Sequence, residues 1–186
     1  MRIALFGGSF NPPHVAHQLA CTYALGCGDF DELWMVPTYK HPFDKPLAPY
    51  DDRVAMCERA AALFGGRVKV SRIEEELGGE SYTVRTVKAL SALKPTAELT
   101  LVIGADLLAE RHLWHGYEEL SRLVRFFVLG RGGVRAELAA VHGIDLPQVS
   151  STEVRAGIAR GESFDEMVRY VPRAVLGYIY QRGLYR

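Results

Sequence analysis

The sequence predicts a doubly wound α/β fold, a parallel sheet covered by helices on both faces, with a small helical extension at the C-terminus. Two observations predict the sheet. Apolar runs of strand length alternate with segments of helical period from residue 1 to about 149. The first of these runs, Ile3 to Phe6, is apolar without interruption, as a strand buried on both faces must be. The extension rests on a third observation: from Ser150 the chain reads as consecutive helices broken at Gly161 and Pro172.

In chain order, a strand over Arg2 to Phe6 runs into a Gly-Gly turn, and Pro12 and Pro13 then set up a helix from about His14 to Leu25. A second strand over Glu32 to Val36 leads into Pro37 to Tyr50, a connection with four prolines, two lysines and three aromatics and neither helical nor strand period. A loop of that length after a strand is expected to be functional, as a lid over substrates. A helix over Asp52 to Phe64, a strand over Arg67 to Ser71, a helix over Thr83 to Leu93 and a strand over Leu99 to Ile103 follow. A short helix near Tyr117 to Leu120, a strand over Val124 to Leu129, a flexible loop over Gly130 to Gly133 containing Arg131, and a strand at about Leu146 to Val149 complete the sheet. The pattern is Rossmann-like, so ligands are expected beyond the carboxyl ends of the strands.

Composition bounds the possibilities. A chain of 186 residues, 48% hydrophobic, fills one domain, with 1–149 as α/β core and 150–186 as helical subdomain. Lys+Arg and Asp+Glu both number 22, so no net field draws the protein to nucleic acid or to an anionic membrane. Cys21, Cys27 and Cys57 form no C-x-x-C pair and are odd in number, which speaks against a disulfide framework and a zinc knuckle and fits a reducing cytoplasm. No leader and no membrane-length apolar run is present, so a cytoplasmic location is expected.

The richest stretch is Gly7-Gly8-Ser9-Phe10-Asn11-Pro12-Pro13-His14-Val15-Ala16-His17. The glycines allow close backbone approach to a ligand, and the helix that follows presents unpaired N–H groups and the positive end of its dipole. His14 and His17 lie three residues apart on its first turn and face the same side. A phosphate group fits this arrangement. A metal site does not, because zinc helices space two histidines by four with a glutamate between, and no third ligand is evident. The third glycine of the dinucleotide fingerprint is also missing, which argues against hydride transfer.

A second anion site is expected at Ser150-Ser151-Thr152-Glu153-Val154-Arg155, after a strand and at a helix start. Ser150 with Glu153 satisfies a capping box, a sufficient structural reason for both. Arg155 adds a guanidinium to the free N–H groups and hydroxyls of the first turn. Two helix tips equipped for phosphate suggest a polyphosphate held between them.

These two stretches resemble the paired signatures of the nucleotidyltransferase superfamily, G-G-[ST]-F-[ND]-P-x-H-x-G-H and I-S-[ST]-[ST]-x-[IL]-R. Ser81-Tyr82-Thr83, the run Ile103-Gly104-Ala105-Asp106 and Trp114 extend the resemblance to the bacterial nicotinate mononucleotide adenylyltransferase family along nearly the whole chain. The resemblance implies that ATP and nicotinate mononucleotide form a dinucleotide and pyrophosphate, with Mg²⁺ accompanying ATP and no metal held by the protein alone. It implies catalytic contacts from His14, His17 and Arg155. For ATP it implies Gly7, Gly8, Ser9 and Phe10, then Lys40, Gly104 and Asp106, and finally Ser151 and Thr152. For the mononucleotide it implies Tyr82, Thr83 and Trp114, the last as a flat face for a pyridine ring.

Four departures stand out: Ala16 before His17, Val149 and Val154 in the second signature, Pro37-Thr38-Tyr39-Lys40-His41-Pro42 where P-P-H-K is common, and Arg85. The third leaves Lys40 and Lys45 as alternative phosphate contacts, and Arg85 leaves the acid and amide mononucleotides open. Other readings of the same signatures are a transferase for phosphopantetheine or a polyol phosphate, and a nucleotide sensor without turnover.

Overall fold

The computed structural model describes residues 1–43, 45–131 and 141–186. Six strands, β1 (Arg2–Gly8), β2 (Glu32–Pro37), β3 (Val68–Val70), β4 (Glu98–Gly104), β5 (Arg125–Arg131) and β6 (Val141–Leu146), form one parallel sheet in the order β3-β2-β1-β4-β5-β6. The chain builds outward from β1 to β3, then crosses back to lay β4 on the other side of β1. That reversal leaves a crevice beyond the carboxyl ends of β1 and β4, where this architecture binds ligands.

The pleat of β1 explains the layers. Ile3 and Leu5 point to one face, into a core with Val87 and Leu90 of α4 (Thr83–Leu93) and Leu101 and Ile103 of β4. Ala4 points to the other, where Ala20, Cys21 and Ala24 of α1 (Val15–Cys27) lie close against it with Leu33 and Met35 of β2. Small residues on both sides let α1 approach the sheet. Ile3, Ala4 and Leu5 are buried in succession while their side chains alternate between the faces, as a strand covered on both sides requires.

A third core joins Met56 and Ala60 of α2 (Tyr50–Ala61) to the C-terminal helices α7 (Ser151–Ala159), α8 (Phe164–Met167) and α9 (Arg173–Arg182). Asp52, 5% exposed, ties α2 to α9 by accepting from Tyr178 Oη at 2.7 Å and Arg182 Nε at 3.2 Å.

Several boundaries differ from the sequence expectation. The last strand is Val141–Leu146 rather than Leu146 to Val149, because Pro147 has no N–H to continue a ladder. Gly130 and Arg131, expected in a loop, belong to β5 at a register shift where a Cβ on Gly130 would meet Ile144 O at 2.5 Å; the remainder of that expected loop, Gly132 and Gly133, lies outside the described residues. The helix expected from Asp52 begins at Tyr50, and its last turn tightens to a 3₁₀ turn over Ala62–Phe64. The short helix α6 extends over Tyr117–Leu123. Two further helices, α3 (Ile73–Leu77) and α5 (Ala105–Ala109), are too short to show a period in the sequence. Among the described residues no helix is long and apolar enough to cross a membrane.

Candidate active site

The loop after β1 is built around Phe10. A Cβ on Gly8 would sit 3.2 Å from Phe10 Cζ, so any larger residue would press on the ring that folds beneath the strand end. Phe10 takes a left-handed backbone, φ 44, a conformation that costs a non-glycine residue on the order of 1–3 kcal/mol. The return is a wedge. Its ring, 1% exposed, lies edge-on to Phe6 at 5.6 Å and to His17 at 5.0 Å, fixing the His17 imidazole from below.

His14 caps α1 and is itself buried. Its backbone N–H donates to His17 Nδ1 at 3.0 Å. An acceptor Nδ1 carries no proton, so His17 is held as the Nε2–H tautomer. The two imidazoles lie 3.8 Å apart between ring centroids, a closely packed pair. The expected row of unpaired amides at this helix start is largely filled: the Val15 N–H donates to Tyr170 O at 2.9 Å, because the segment between α8 and α9 packs against this tip.

The second signature meets the first. Ser151 Oγ donates to Pro12 O at 2.8 Å, and Arg155 Nη1 donates to Asn11 O at 2.8 Å across 144 residues of chain. Arg155 Nη2 also reaches Thr152 Oγ1 at 3.3 Å. Ser150 and Glu153 form the expected capping box, Ser150 N–H to Glu153 Oε2 at 3.1 Å and Glu153 N–H to Ser150 Oγ at 3.2 Å. The Ser150 hydroxyl, then its amide, hold the Glu153 carboxyl below its usual range. The amides of Ser151 and Thr152 have no hydrogen-bond partner among the described residues.

A cavity of about 700 Å³ opens at the switch point. Gly7, Gly8, Ser9, His14 and His17 form one wall. Gly104, Trp114 and His115 form a second, and Ser81, Tyr82 and Thr83 at the start of α4 a third. Trp114 is half-buried, with Tyr117 edge-on at 6.3 Å. The segment between β2 and α2 contributes Thr38, His41 and Lys45 to the rim. Lys45 therefore lines the cavity, whereas Lys40 stands outside the lining and is paired through its backbone with Ser81: Ser81 N–H to Lys40 O at 2.9 Å and Lys40 N–H to Ser81 Oγ at 3.2 Å. Phe10, Asp106, Ser151, Thr152 and Arg155 stand outside the lining; Asp106 is half-buried in the first turn of α5, and the last three lie against the Asn11–Pro12 side of the first loop.

Sequence reasoning missed four residues here. Glu74, on the cavity wall, accepts from Tyr39 N–H at 3.1 Å and Thr86 Oγ1 at 3.0 Å; in sequence it is one of three consecutive glutamates. His115 stacks near Tyr82 with centroids 4.5 Å apart. Arg53 and Asn11 are buried behind the loops. Asn11 was visible inside the first signature, and its Oδ1 accepts from Ala48 N–H at 3.0 Å and Tyr185 Oη at 2.9 Å. Burial, then the charges of Lys45 and Arg53, lower the His41 pKa below its ordinary value. Burial pushes the Cys21 thiol up to about 12 and Cys57 well above its usual value, so neither is a thiolate nucleophile. Among the described residues no group of three His, Cys, Asp or Glu side chains can hold a metal ion.

The cytidylyltransferase-like family model matches residues 5–157. The chain belongs to this family, and its class is that of the nucleotidyltransferases. More narrowly, it falls among the nicotinate-nucleotide adenylyltransferases. It is 44% identical over 187 residues to a "Probable nicotinate-nucleotide adenylyltransferase" of Anaeromyxobacter dehalogenans strain 2CP-1, covering 99% of this chain and 96% of the relative. A protein of the same name from Halalkalibacterium halodurans is 35% identical over 193 residues, covering 100% and 91%. The structure of Plasmodium falciparum nicotinic acid mononucleotide adenylyltransferase complexed with NaAD superposes with a TM-score of 0.84 over 99% of this chain and 97% of that one. At 20% identity that likeness is one of fold.

Proposed function

We propose that this enzyme transfers the adenylyl group of ATP to nicotinate mononucleotide, giving nicotinate adenine dinucleotide and pyrophosphate, and that the switch-point cavity is where it does so. The observation that carries the reading is the junction of the two signatures. Ser151 and Arg155 of α7 grip the Pro12 and Asn11 carbonyls, which brings a second helix tip beside the His14–His17 turn at the cavity.

In the proposed mechanism an oxygen of the mononucleotide phosphate attacks the α-phosphorus of ATP. The new P–O bond forms as the bond to the β-phosphate bridging oxygen breaks in line, and pyrophosphate departs with that electron pair. A phosphate is already anionic at neutral pH, so no general base is required and the protein supplies alignment and charge stabilisation. His17 donates its Nε2–H to a phosphate oxygen, held in that tautomer by the His14 amide. The open amides of Ser151 and Thr152, with Arg155, take the β- and γ-phosphates. Gly7, Gly8 and Ser9 let the triphosphate approach the backbone, Lys45 supplies a further cation from the rim, and Gly104 and Asp106 face the nucleoside side.

The acceptor lies against Tyr82, Thr83 and Trp114, with its pyridine ring on the indole. The Thr83 and Val84 amides at the start of α4 have no partner among the described residues, which favours a carboxylate on that ring and hence the acid over the amide.

Mg²⁺ bound to ATP would neutralise phosphate charge. Such an ion would keep its water and phosphate ligands, and Asp106 in the first turn of α5 is the carboxylate we assign to its hydration shell. We also propose a cytoplasmic setting, in keeping with the free state of Cys21, Cys27 and Cys57, and a single domain with 150–186 as its helical subdomain.

The test is a panel of nicotinate mononucleotide, nicotinamide mononucleotide, phosphopantetheine and a polyol phosphate with MgATP, following pyrophosphate and dinucleotide. The highest kcat/KM is expected for nicotinate mononucleotide. Turnover confined to another acceptor overturns the assignment, and ATP binding with no turnover on any acceptor makes the protein a sensor.

A further inference from the structure

Among the described residues Arg53 is the largest fully buried side chain, 1% exposed in the first turn of α2, and no carboxylate stands within ion-pair distance of it. A buried cation without a counter-ion is costly unless other groups replace its hydration. Here backbone carbonyls do so. Nε donates to Ala48 O at 3.0 Å, Nη1 to Ser9 O at 3.0 Å and Thr38 O at 2.7 Å, and Nη2 points to Tyr39 O at 3.5 Å. The planar fork of an arginine presents several donors in fixed directions, which a lysine does not.

The origin of those carbonyls matters. Ser9 belongs to the loop after β1 and Thr38 to the segment after β2, and both line the cavity. One guanidinium therefore clasps two walls of the crevice from behind. Carbonyl dipoles solvate a cation but leave its net charge in place, so the positive charge stays behind the wall, with Glu74 on that wall a carboxylate whose field reaches it. Its field is felt at the cavity, because the Arg53 charge contributes to the lowered pKa of His41 on the rim.

We propose that Arg53 is a positioning residue for adenylyl transfer: its carbonyl-held guanidinium sets the separation of the Ser9 and Thr38 walls, and its charge, in ion-pair contact with no carboxylate, raises the potential of the cavity for the substrate polyphosphate. The proposal rests on the reading of this cavity as the nucleotide site. A purely architectural arginine would hold the loops without influencing anion binding.

Two variants separate the charge from the fork. Arg53→Gln keeps amide donors and removes the charge, and Arg53→Lys keeps the charge and loses the fork. Melting temperature and circular dichroism establish that each variant is folded. Pyrophosphate binding is measured by calorimetry, the His41 titration by NMR, and kcat and KM by pyrophosphate release. Arg53→Gln is expected to weaken pyrophosphate binding about tenfold and to move the His41 pKa upward. Arg53→Lys is expected to bind pyrophosphate within about threefold of the parent yet lose roughly tenfold in kcat through misplaced walls.

The proposal is overturned if folded Arg53→Gln binds pyrophosphate as the parent does with His41 unmoved. Should Arg53→Gln fail to fold, Arg53→Lys decides: parent-like kcat overturns the proposal, and the kcat loss with retained anion affinity supports it. Pyrophosphate binding and the His41 titration need no acceptor, so they stand apart from any failure of the nicotinate assignment.

Discussion

The two helix tips beside the candidate active site use the same backbone feature in opposite ways. At α1 the first amides are consumed by the protein, that of His14 by His17 Nδ1 and that of Val15 by Tyr170 O. At α7 the capping box satisfies Ser150 and Glu153 but leaves the Ser151 and Thr152 amides open. Both ends carry the positive pole of a helix dipole. On the proposed reading the first is a mount that orients imidazoles, wedged by Phe10, and the second a seat for an anion. The bonds from Ser151 and Arg155 to the carbonyls of Pro12 and Asn11 keep mount and seat at a constant separation. Catalysis by alignment needs that constancy more than it needs any single strong contact.

Removing the imidazole donor attacks the mount where it matters most. His17→Ala is expected to lower kcat roughly 10²- to 10³-fold, about 3–4 kcal/mol, the loss typical of one donor to a developing charge. The KM for ATP should change little, because the seat at α7 is untouched. Steady-state kinetics with each substrate varied will check this; a KM-dominated defect would mean that the α1 tip binds rather than orients.

Arg155→Ala strikes the seat, and the expected pattern is reversed. A rise in the KM for ATP and a fall in kcat/KM of about 10- to 10²-fold should follow from losing a charge-assisted contact. Arg155→Lys should recover only part of this, since an ammonium cannot serve Asn11 O, Thr152 Oγ1 and phosphate with one planar fork. Ser151→Ala removes only the strut to Pro12 O, and a loss of about threefold in kcat/KM is expected, in line with a single neutral hydrogen bond of about 0.5–1.5 kcal/mol.

Much of this was legible in the chain, and the failures share a cause. The strands β1 to β5, the long helices and both signatures are local patterns of period and residue type, readable within a window of ten or so residues. The place of His17 and Trp114 on the cavity wall was legible too, because their neighbours advertise them. Arg53 was not, since nothing in Tyr50-Asp51-Asp52-Arg53 separates a guanidinium that clasps two loops from one that faces water. Glu74 was hidden in the same way among three glutamates. The strand β6 was misplaced because its pairing depends on a register shift against β5, where consecutive Leu129 and Gly130 meet His142 and Asp145, rather than on its own apolar content. The closure of the α1 tip depends on Tyr170, a residue more than 150 positions away that carries no motif.

The smallest expected effect tests whether the capping box belongs to the seat's chemistry or only to its mechanics. The Glu153 pKa is lowered in the folded protein, chiefly by the Ser150 hydroxyl. The sign follows from linkage: stability from a depressed carboxyl is fully present above its unfolded value and is lost as pH falls through the lower folded value. Ser150→Ala should therefore lower Tm most at neutral pH, and the gap to the parent should narrow as the pH drops below the usual carboxyl range. Glu153 is fully solvent-exposed and the Ser150 amide bond survives the substitution, so the shift will be slight. The kcat should stay within about twofold, since a cap substitution is felt as helix stability rather than at the reacting atoms. A loss of kcat approaching that of His17→Ala, without a matching fall in Tm, would show that the open amides of Ser151 and Thr152 depend on the box for their aim, and that mount and seat are one device.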